Sequence, residues 1–578
     1  AAAEPASELA GEIAPQPGQS AGSIVHSTSM DVRDGVRESA IKDAKPKAPT
    51  AIVEPDPAVA TAVLALLQKP LRTKSDAGKA DLKAIRAFYE MRDGRTLWMT
   101  ADGLTEDARA LLEVLNAADD HGLDAEDYSL PAGAIEELTS PALQADVEVA
   151  ITRLALRYAH DARGGRVDPS RLSYEIFVER PLIEPASVLT DLATTDAKAA
   201  YLQGLNPKHR GYQRLQAAYL KLRKEHEEAE ATDVDLSALP KRERRKILRQ
   251  RSRDAKKRAG QLRRIRLNLE FWRWLPEQLG DTHIMANIPE FRVRAKRDGE
   301  IVFSERVIVG KGSTQTPLFS DEMDHVVFRP IWSLPNSIKV KKLLPGLLRG
   351  RDSVSGQGLR IKAGNRTINP RSINWRRRDI RNYHVYQPPG PGNALGRIKF
   401  MFPNKHAIYM HDTPAKGLFN TRRRTHSAGC VRVRNPDQFA KVVLSIANDW
   451  TNDEVEDRYR RGPENDRVDF DRNIPVHLGY FTAHVNEETG EVEYFKDIYK
   501  HERHLRFALA GQYNRIVRRK RSVEADVQRI KASARPQQEE YNWWGNGSSN
   551  WGNGSASSAT TSNGRRSNWA ARAFGTNN

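Results

Sequence analysis

A single cysteine, Cys430, stands in a chain of 578 residues that also contains 15 histidines. A free cysteine with a pKa of about 8.5 is mostly protonated at neutral pH, and only its thiolate is a good nucleophile. A neighbouring histidine can accept the proton and leave a thiolate–imidazolium pair. His411 lies 19 residues upstream, a distance that a strand, a loop and a second strand can close, whereas His426 lies four residues upstream and competes by sequence distance. Cys430 is therefore either a nucleophile served by a histidine or an inert buried thiol.

The segment Ser427–Val433 around this cysteine has the features of a catalytic turn. Attack of a thiolate on a carbonyl carbon produces an oxyanion, and backbone N–H groups at a tight turn can donate hydrogen bonds to it. Gly429, directly before Cys430, permits such a turn and a close approach of the substrate. Val431–Val433 then predicts a strand that holds the cysteine at its mouth.

Charge and cysteine usage limit the classes of function. The net charge is +18 and the pI is about 9.7, which suits a polyanionic partner such as nucleic acid, anionic lipid or an acidic cell-wall polymer. One cysteine excludes an intramolecular disulfide and a CxxC metal site. The sequence shows no metal-ligand cluster and no recognisable nucleic-acid-binding signature. We therefore expect no metal, no other cofactor and no nucleic-acid partner.

The start of the chain predicts export. It begins at Ala1 with an alanine-rich segment and has no initiator methionine. Signal peptidases leave such starts after they cut at small residues. No apolar run of about 18 residues is present, so the sequence predicts no membrane span. The alternative to an exported chain without its signal peptide is a chain trimmed for another reason.

The first half of the chain predicts helices. Residues 1–78, rich in Ala, Pro, Ser and charge, predict a disordered leader with a short apolar helix around Val59–Leu67 inside it. Residues 79–240 place apolar groups at helical spacing and predict a helical scaffold domain. Residues 241–282 predict a basic helix and linker, since 241–266 contain 14 Lys or Arg and two acids. The basic stretch is either a site for a polyanion or an exposed charged helix.

The second half predicts strands. Residues 283–500 are rich in Ile, Val and Phe and predict a mostly-β domain, with a strand at Ala407–Met410 directly before His411. Inside this domain, residues from about 338 to 392 form a long insertion, which at that length is either a functional lid or disordered. The remaining segments are a basic helical extension at 501–534 and a disordered Gly/Ser/Asn/Trp-rich tail at 535–578. The expected fold class is α+β.

The combination of His411 with the Ser427-Ala428-Gly429-Cys430-Val431-Arg432 motif resembles the active-site signature of the YkuD-type L,D-transpeptidase catalytic domain. The resemblance covers about 283–500, and the upstream helical region resembles the scaffold domain of the large, multi-domain periplasmic branch of this family. The flanking motifs that carry it are Asn287-Ile288-Pro289, Val307-Ile308-Val309-Gly310-Lys311, Gln315-Thr316-Pro317, Pro330-Ile331-Trp332-Ser333-Leu334-Pro335 and Asn393-Ala394-Leu395-Gly396-Arg397-Ile398-Lys399-Phe400.

The resemblance implies a cysteine acyltransferase that cross-links peptidoglycan stem peptides in the periplasm. Cys430 would attack the bond between diaminopimelate and the terminal D-Ala of a tetrapeptide, and His411 would move the protons. The side-chain amine of a second diaminopimelate would then accept the acyl group. The family also implies roles in cell-wall biogenesis and cell shape, sensitivity to carbapenems, and a capping insertion over the active site at about 338–392.

The resemblance also implies roles for neighbouring residues. Those expected in the oxyanion site or substrate pocket are Tyr409, Ser427, Gly429, Arg432 and Trp332. Tyr409 is either a pocket residue or a packed strand tyrosine, Arg432 binds a substrate carboxylate or forms a structural salt bridge, and Trp332 and Trp375 line the cleft or pack in a core. Many family members have a histidine two residues before the cysteine, where this chain has Ala428. A backbone carbonyl of the 427–429 turn is therefore expected to orient His411, with Asp412 as the second candidate.

Three alternatives stay open at the level of sequence. The same fold and the same Cys–His pair can hydrolyse, as an L,D-carboxypeptidase or cross-link amidase, or can ligate an outer-membrane protein to the wall. Acceptor choice decides between these, and the motif does not encode it. A non-catalytic, basic wall-binding protein would explain the charge and the Trp-rich tail, but it leaves the Cys–His motif unexplained. Other wall-synthesis proteins are further candidate partners.

Overall fold

The structure is a computed structural model that describes residues 56–69, 73, 76–135, 138–232, 235–518 and 522–533. Most of the predicted leader and the predicted C-terminal tail lie outside these residues. The first half is helical, with a small hairpin of β1 (Met99–Thr100) and β2 (Gly103–Leu104). Its helices are α1 (Pro57–Gln68), α2 (Asp76–Met91), α3 (Glu106–Asn116), α4 (Pro141–Gly164), α5 (Pro185–Thr194), α6 (Lys198–Gln203), α7 (Arg210–Ala231) and α8 (Lys241–Trp272).

Helix α1 confirms the short apolar helix predicted around Val59–Leu67 and assigns this part of the predicted leader to the scaffold core. Asp56 caps it by accepting a hydrogen bond from the Ala58 N–H at 2.8 Å, and proline follows as the first helical residue. Val59, Val63 and Leu67 recur every four residues and are buried in the scaffold core. Burial of this apolar stripe offsets the entropy cost of ordering the helix, which the polar sequence around it has no apolar surface to do. Because the stripe packs in the scaffold core, α1 belongs to the scaffold.

Helix α4 is the centre of the scaffold and carries a buried carboxylate. Glu148 accepts hydrogen bonds from the Tyr89 hydroxyl at 2.6 Å and from the backbone N–H groups of Leu97 and Trp98 at 2.6 and 2.9 Å. Burial raises the pKa of Glu148 to about 7, although these donors pull it down. The carboxylate thereby joins α4 to α2 and to the β1–β2 hairpin.

Helices α7 and α8 connect the scaffold to the sheet domain. The basic N-terminal half of α8 is largely exposed, whereas its last residues are buried together with the sheet domain. The exposed charged helix that the sequence offered as one alternative is thus found, and it continues without a break into the buried residues. Arg273 lies at the junction, where it is fully buried and donates to the Tyr212 hydroxyl at 3.0 Å.

The second half contains a nine-stranded sheet with the order β13-β5-β14-β12-β11-β6-β15-β3-β4. Strand β5 also pairs with β4, so the sheet closes on itself. Its strands are β3 (His283–Asn287), β4 (Arg292–Arg297), β5 (Glu300–Gly310), β6 (Ser320–Phe328), β11 (Ile398–Met401), β12 (Met410–His411), β13 (Thr425–Ser427), β14 (Val431–Val433) and β15 (Asp466–Gly479). The expected α+β class, with a helical scaffold ahead of a sheet-rich domain, is confirmed.

The long insertion is a folded subdomain with its own core. It contains a sheet of order β7-β10-β8-β9, formed by β7 (Trp332–Ser333), β8 (Arg360–Ala363), β9 (Arg366–Ile368) and β10 (His384–Gln387). Its helical part runs through α9 (Asn336–Ile338), a π-helical turn at Lys339–Leu343 and α10 (Leu344–Leu348). The predicted alternative of a disordered loop is therefore wrong for this segment.

The remaining elements cover the sheet and the insertion. They are α11 (Pro436–Ala447), α12 (Asn452–Arg461), β16 (Ala483–Val485), β17 (Val492–Tyr494), α13 (His501–Leu509) and α14 (Val523–Ser533). Helix α13 packs into the sheet core through Leu505 and Ala508, while α14 packs Val527 against the insertion. No helix in the described part of the chain has the length and apolar composition needed to cross a membrane.

Candidate active site

Two short parallel strands bring the predicted catalytic residues to one face of the sheet. Strand β12 pairs with β14 so that His411 lies opposite Arg432, and the Val431 N–H donates to the Tyr409 carbonyl at 3.2 Å. Side chains alternate between the two faces of a sheet, so Tyr409, His411, Cys430 and Arg432 share one face. Met410 and Val431 face the opposite side, where both are fully buried.

The strand before His411 is shorter than predicted. Only Met410–His411 is extended in the sheet, because Ala407 adopts a left-handed conformation with φ +53°. The Ala407 carbonyl consequently points toward the site, where the Cys430 thiol lies 3.8 Å from it. The part of the predicted strand that precedes Met410 thus forms a bend, and the carbonyl of Ala407 in this bend contacts the nucleophile.

The turn before Cys430 is held by the predicted serine and glycine. The Ser427 hydroxyl donates to the Cys430 carbonyl at 2.6 Å and accepts from the Gly429 N–H at 3.1 Å. Gly429 has φ +138°, a conformation that side chains with a Cβ rarely adopt, and a Cβ there would lie 3.0 Å from the Ile408 side chain. The turn therefore requires glycine directly before the cysteine.

A second layer behind this turn was not predicted from the sequence. The buried Thr316 hydroxyl donates to the Gly429 carbonyl at 2.6 Å and accepts from the Gly310 N–H at 2.9 Å. The Tyr499 hydroxyl donates to the Gly310 carbonyl at 2.6 Å and accepts from the Thr316 N–H at 3.2 Å. The C=O and N–H of one peptide point in opposite directions, so anchoring the Gly429 carbonyl in the core directs the Cys430 N–H away from it.

The orientation of His411 differs from the prediction. Its Nδ1 lies 2.5 Å from the backbone carbonyl of Asp412, the next residue, and not from a carbonyl of the 427–429 turn. Because a carbonyl can only accept, Nδ1 carries the proton and Nε2 is left as the basic nitrogen of the neutral ring. Asp412, the second candidate, therefore orients the ring, through its backbone carbonyl. Its side chain accepts from the Arg397 and Thr413 N–H groups and from the Lys416 amine.

Burial governs the charge state of the pair. It raises the pKa of Cys430 to about 11, against the lowering effects of a Tyr409 backbone hydrogen bond and of the Arg432 charge. Burial and then the charge of Arg432 lower the pKa of His411 to about 3. These directions favour a neutral thiol beside a neutral imidazole, in place of the thiolate–imidazolium pair that the sequence suggested.

Arg432 is a fully buried cation on the same face. Burial lowers the pKa of its guanidinium to about 9, so the group stays protonated at neutral pH. Its charge favours negative charge on the Cys430 sulfur and opposes protonation of His411. Such an arrangement suits a site where negative charge develops.

The insertion contacts the site through Trp332 and Tyr409. The Tyr409 hydroxyl accepts a hydrogen bond from Trp332 and donates one to the Cys430 sulfur. Burial raises the pKa of this hydroxyl far above its ordinary value. Trp332 is 3% exposed and belongs to the insertion core, against which Tyr409 packs. Trp375 packs edge-on against Tyr383 inside the insertion and is not part of this constellation.

The competing histidine, His426, lies on the strand before the catalytic turn. It is half-buried on β13, where its Nε2 lies 3.1 Å from the Thr421 hydroxyl. Among the arginines of the insertion, Arg381 is paired with Asp379 and Glu524 at 2.5 Å. Arg376 and its two following arginines are exposed. Within the described ranges, no group of three or more His, Cys, Asp or Glu side chains is arranged to hold a metal ion.

Comparison with known families and proteins agrees with this geometry. Residues 281–458 match the family described as the L,D-transpeptidase catalytic domain (YkuD), and residues 83–218 match a scaffold domain. A curated protein of Haemophilus influenzae, named "Putative L,D-transpeptidase", is 35% identical over 228 residues. The matched region covers 39% of this chain and 45% of that protein, so the chain spans about half the length of its curated relative.

Proposed function

We propose that this chain, a YkuD-type protein with a helical scaffold domain and an L,D-transpeptidase catalytic domain, is a peptidoglycan L,D-transpeptidase that acts in the periplasm. The observation that carries the proposal is the shared face of β12 and β14, where Cys430, His411 and Tyr409 meet beside a turn built to present a backbone N–H. The basic charge of the chain, +18, suits a carboxylate-rich polymer as substrate.

The acylation step follows from these positions. The Cys430 sulfur forms a bond to the carbonyl carbon at the L-centre of diaminopimelate, and its proton passes to Nε2 of His411. The tetrahedral oxyanion accepts a hydrogen bond from the Cys430 N–H, whose peptide Thr316 holds in place. The C–N bond to D-Ala then breaks, and the leaving amine takes the proton from His411. A thioester remains on Cys430.

Transfer to the acceptor reverses the roles. The side-chain amine of a second diaminopimelate attacks the thioester carbon and gives a proton to His411. The C–S bond breaks, and the sulfur regains that proton from the imidazole. The products are a cross-link between two diaminopimelates and the original neutral thiol. Water in place of the amine would give the L,D-carboxypeptidase reaction, which is the second candidate because the same groups perform it.

Mass spectrometry with chromatography of the products tests the proposal. The full chain is incubated with disaccharide tetrapeptide, beside Cys430→Ser as a nearly isosteric control and beside His411→Gln and His426→Gln. We expect loss of D-Ala, an acyl adduct on Cys430 and a diaminopimelate dimer, with the dimer absent from the Cys430 and His411 variants and present in the His426 variant. Tripeptide without dimer would instead establish the hydrolase, and no adduct in a folded protein would reject both reactions.

A further inference from the structure

The C-terminal extension follows the catalytic domain, and the proposed acyl transfer gives it no role. Its first helix, α13, is fixed to the sheet domain, because Leu505 and Ala508 are buried in the sheet core. Further along, the Arg518 guanidinium lies 4.1 Å from the centre of the Tyr174 ring in the scaffold, a favourable cation–aromatic contact. The extension is therefore attached to both the sheet domain and the scaffold before α14 begins.

Helix α14 lies against the insertion through an apolar stripe. Val523, Val527 and Ile530 are spaced by four and three residues, so they share one face of the helix. Val527 is 4% exposed within the insertion core, and the other two pack against that core. The helix contacts α10 and the π-helical turn Lys339–Leu343. An isolated helix of 11 residues is marginal in water, so this packing stabilises α14 and the insertion together.

Two ion pairs lie beside the apolar stripe. The Lys341 amine lies 3.0 Å from the Asp526 carboxylate, and the Arg381 guanidinium lies 2.5 Å from the Glu524 carboxylate. Lys341 belongs to the π-helical turn, whereas Arg381 belongs to a separate short helical turn of the insertion. Partly exposed pairs of this kind contribute little stability each, but two pairs to different elements fix the register of the helix on the insertion.

The insertion core that α14 completes also contacts the nucleophile. Trp332 belongs to the same core as Val527 and donates a hydrogen bond to the Tyr409 hydroxyl. That hydroxyl in turn donates to the Cys430 sulfur. A movement of the insertion core would therefore displace the side chain that holds the hydrogen-bond donor of the thiol.

We propose that α14 is a clamp that positions the insertion on the catalytic domain and, through Trp332 and Tyr409, positions the Cys430 thiol. The clamp is a property of the fold that needs no substrate, whereas its effect on acylation rests on the proposed function. Helix α14 is a positioning element that acts through the insertion. Its detachment removes the buried stripe and both ion pairs from the insertion, so the insertion backbone should open more often.

Hydrogen–deuterium exchange of the full chain tests the clamp. Val527→Asp places a carboxylate in the insertion core, while Gln528→Asp places the same group at the exposed next position. Amides of residues 338–392 should exchange about tenfold faster in the Val527 variant and at the wild-type rate in the Gln528 variant, with β5 and β14 unchanged in both. Equal exchange of the insertion in the two variants would overturn the clamp, and so would an equal acceleration in β5 and β14.

The Lys341–Asp526 pair provides a second test with milder variants. Lys341→Gln and Asp526→Asn should each raise the exchange rate of the insertion about threefold, because each removes the same ion pair. The double variant should also show about threefold, since the pair is lost only once. Lys342→Gln removes the same charge at the next residue and should leave the rate unchanged. An increase of about ninefold in the double variant, or a Lys342 effect equal to that of Lys341, would contradict the pairing.

Single-turnover acylation with disaccharide tetrapeptide connects the clamp to the proposed function. Val527→Asp should lower the maximal rate of acyl adduct formation about tenfold and leave the half-saturating substrate concentration nearly unchanged, because the thiol and not the substrate loses its position. Gln528→Asp should stay within about twofold of the wild type. Faster exchange of the insertion with an unchanged acylation rate would reject the positioning of the thiol. An inactive wild type would reject the proposed function, while the exchange rates would still decide on the clamp.

Discussion

His411 and Arg432 lie directly opposite each other in the parallel pair of β12 and β14. Partners in such a pair project to the same face, so a fully buried guanidinium accompanies the imidazole. Burial, and then the charge of this guanidinium, lower the pKa of His411, which keeps the ring neutral and able to accept the thiol proton. The same charge stabilises the sulfur when it becomes negative. The pair therefore sets the direction of proton transfer in the site.

This relationship predicts a broad pH profile for acylation. When both Cys430 and His411 are neutral, two titrations limit the acylation rate. The rate falls when His411 is protonated, near its pKa of about 3, or when the Cys430 thiol has lost the proton that the leaving amine needs, near its pKa of about 11. We expect kcat/KM for acyl adduct formation to be flat from about pH 5 to about pH 9. In the free protein, iodoacetamide alkylation of Cys430 should rise with pH over this range. An alkylation rate that is already maximal at about pH 6 would indicate an ion pair instead.

Replacement of Arg432 checks the cause of that profile. Without its charge the pKa of His411 should rise, because the guanidinium opposes protonation, and the pKa of Cys430 should rise as well. In Arg432→Met we therefore expect the acid limb of the acylation profile to move to higher pH and the maximal rate to fall. Circular dichroism at each pH shows whether the fold is retained. An unchanged acid limb in a folded variant would contradict the electrostatic role.

Thr316→Val should lower kcat while leaving KM nearly unchanged. Valine has a similar shape but cannot donate to the Gly429 carbonyl, so the Cys430 N–H loses its fixed direction toward the oxyanion. We expect a loss of about ten- to a hundredfold in the acylation rate. Thr316→Ser keeps the hydroxyl and should recover most of it. Equal losses in both variants, with unchanged melting temperatures, would show that the hydroxyl does not position the turn.

The sequence predicted the local parts of this site and missed the distant ones. Cys430, Gly429 and Ser427 form one short motif, and their hydrogen bonds close within three residues. Thr316 bonds to a residue 113 positions away, and Tyr499 to one 183 positions away, and neither pair shows a pattern in a single sequence. The Gln315-Thr316-Pro317 motif was part of the family resemblance, but the sequence did not indicate that the Thr316 hydroxyl would donate to the Gly429 carbonyl.

Backbone groups and burial explain the other differences. The carbonyl of Asp412 orients His411, and every residue has a carbonyl, so no residue type signals this contact. The ion pair was expected from ordinary pKa values, but these change with burial, which depends on how the sheet and the insertion close around the site. Helix α1 was visible as an apolar spacing within the leader, yet its stability comes from packing against α4, far along the chain.

The scaffold should lose stability as the pH rises toward neutrality. The folded-state pKa of Glu148 is raised from 4.5 to about 7, so between these values the folded protein keeps a proton that the unfolded chain releases. This contribution is fully present below about pH 4.5 and is lost as the pH passes through 7, a difference of about 3 kcal/mol. Urea unfolding at several pH values should show this slope in the wild type and not in Glu148→Gln. Glu113 is exposed, so the control variant Glu113→Gln should show the same slope as the wild type. If the slope disappears in this control as well, Glu148 is not its cause.

Asp412→Asn should affect stability more than catalysis. The Asp412 carboxylate accepts from the Arg397 and Thr413 N–H groups and from Lys416, whereas His411 is oriented by the backbone carbonyl, which the substitution leaves in place. We expect a loss of about 1–3 kcal/mol in unfolding free energy from the missing acceptor. The acylation rate should change less than about tenfold, in contrast to the loss of about 10⁴-fold when a carboxylate orients a catalytic histidine. Single-turnover acylation measures this directly. A loss approaching that size in a folded Asn variant would mean that the carboxylate, and not the carbonyl, controls the imidazole.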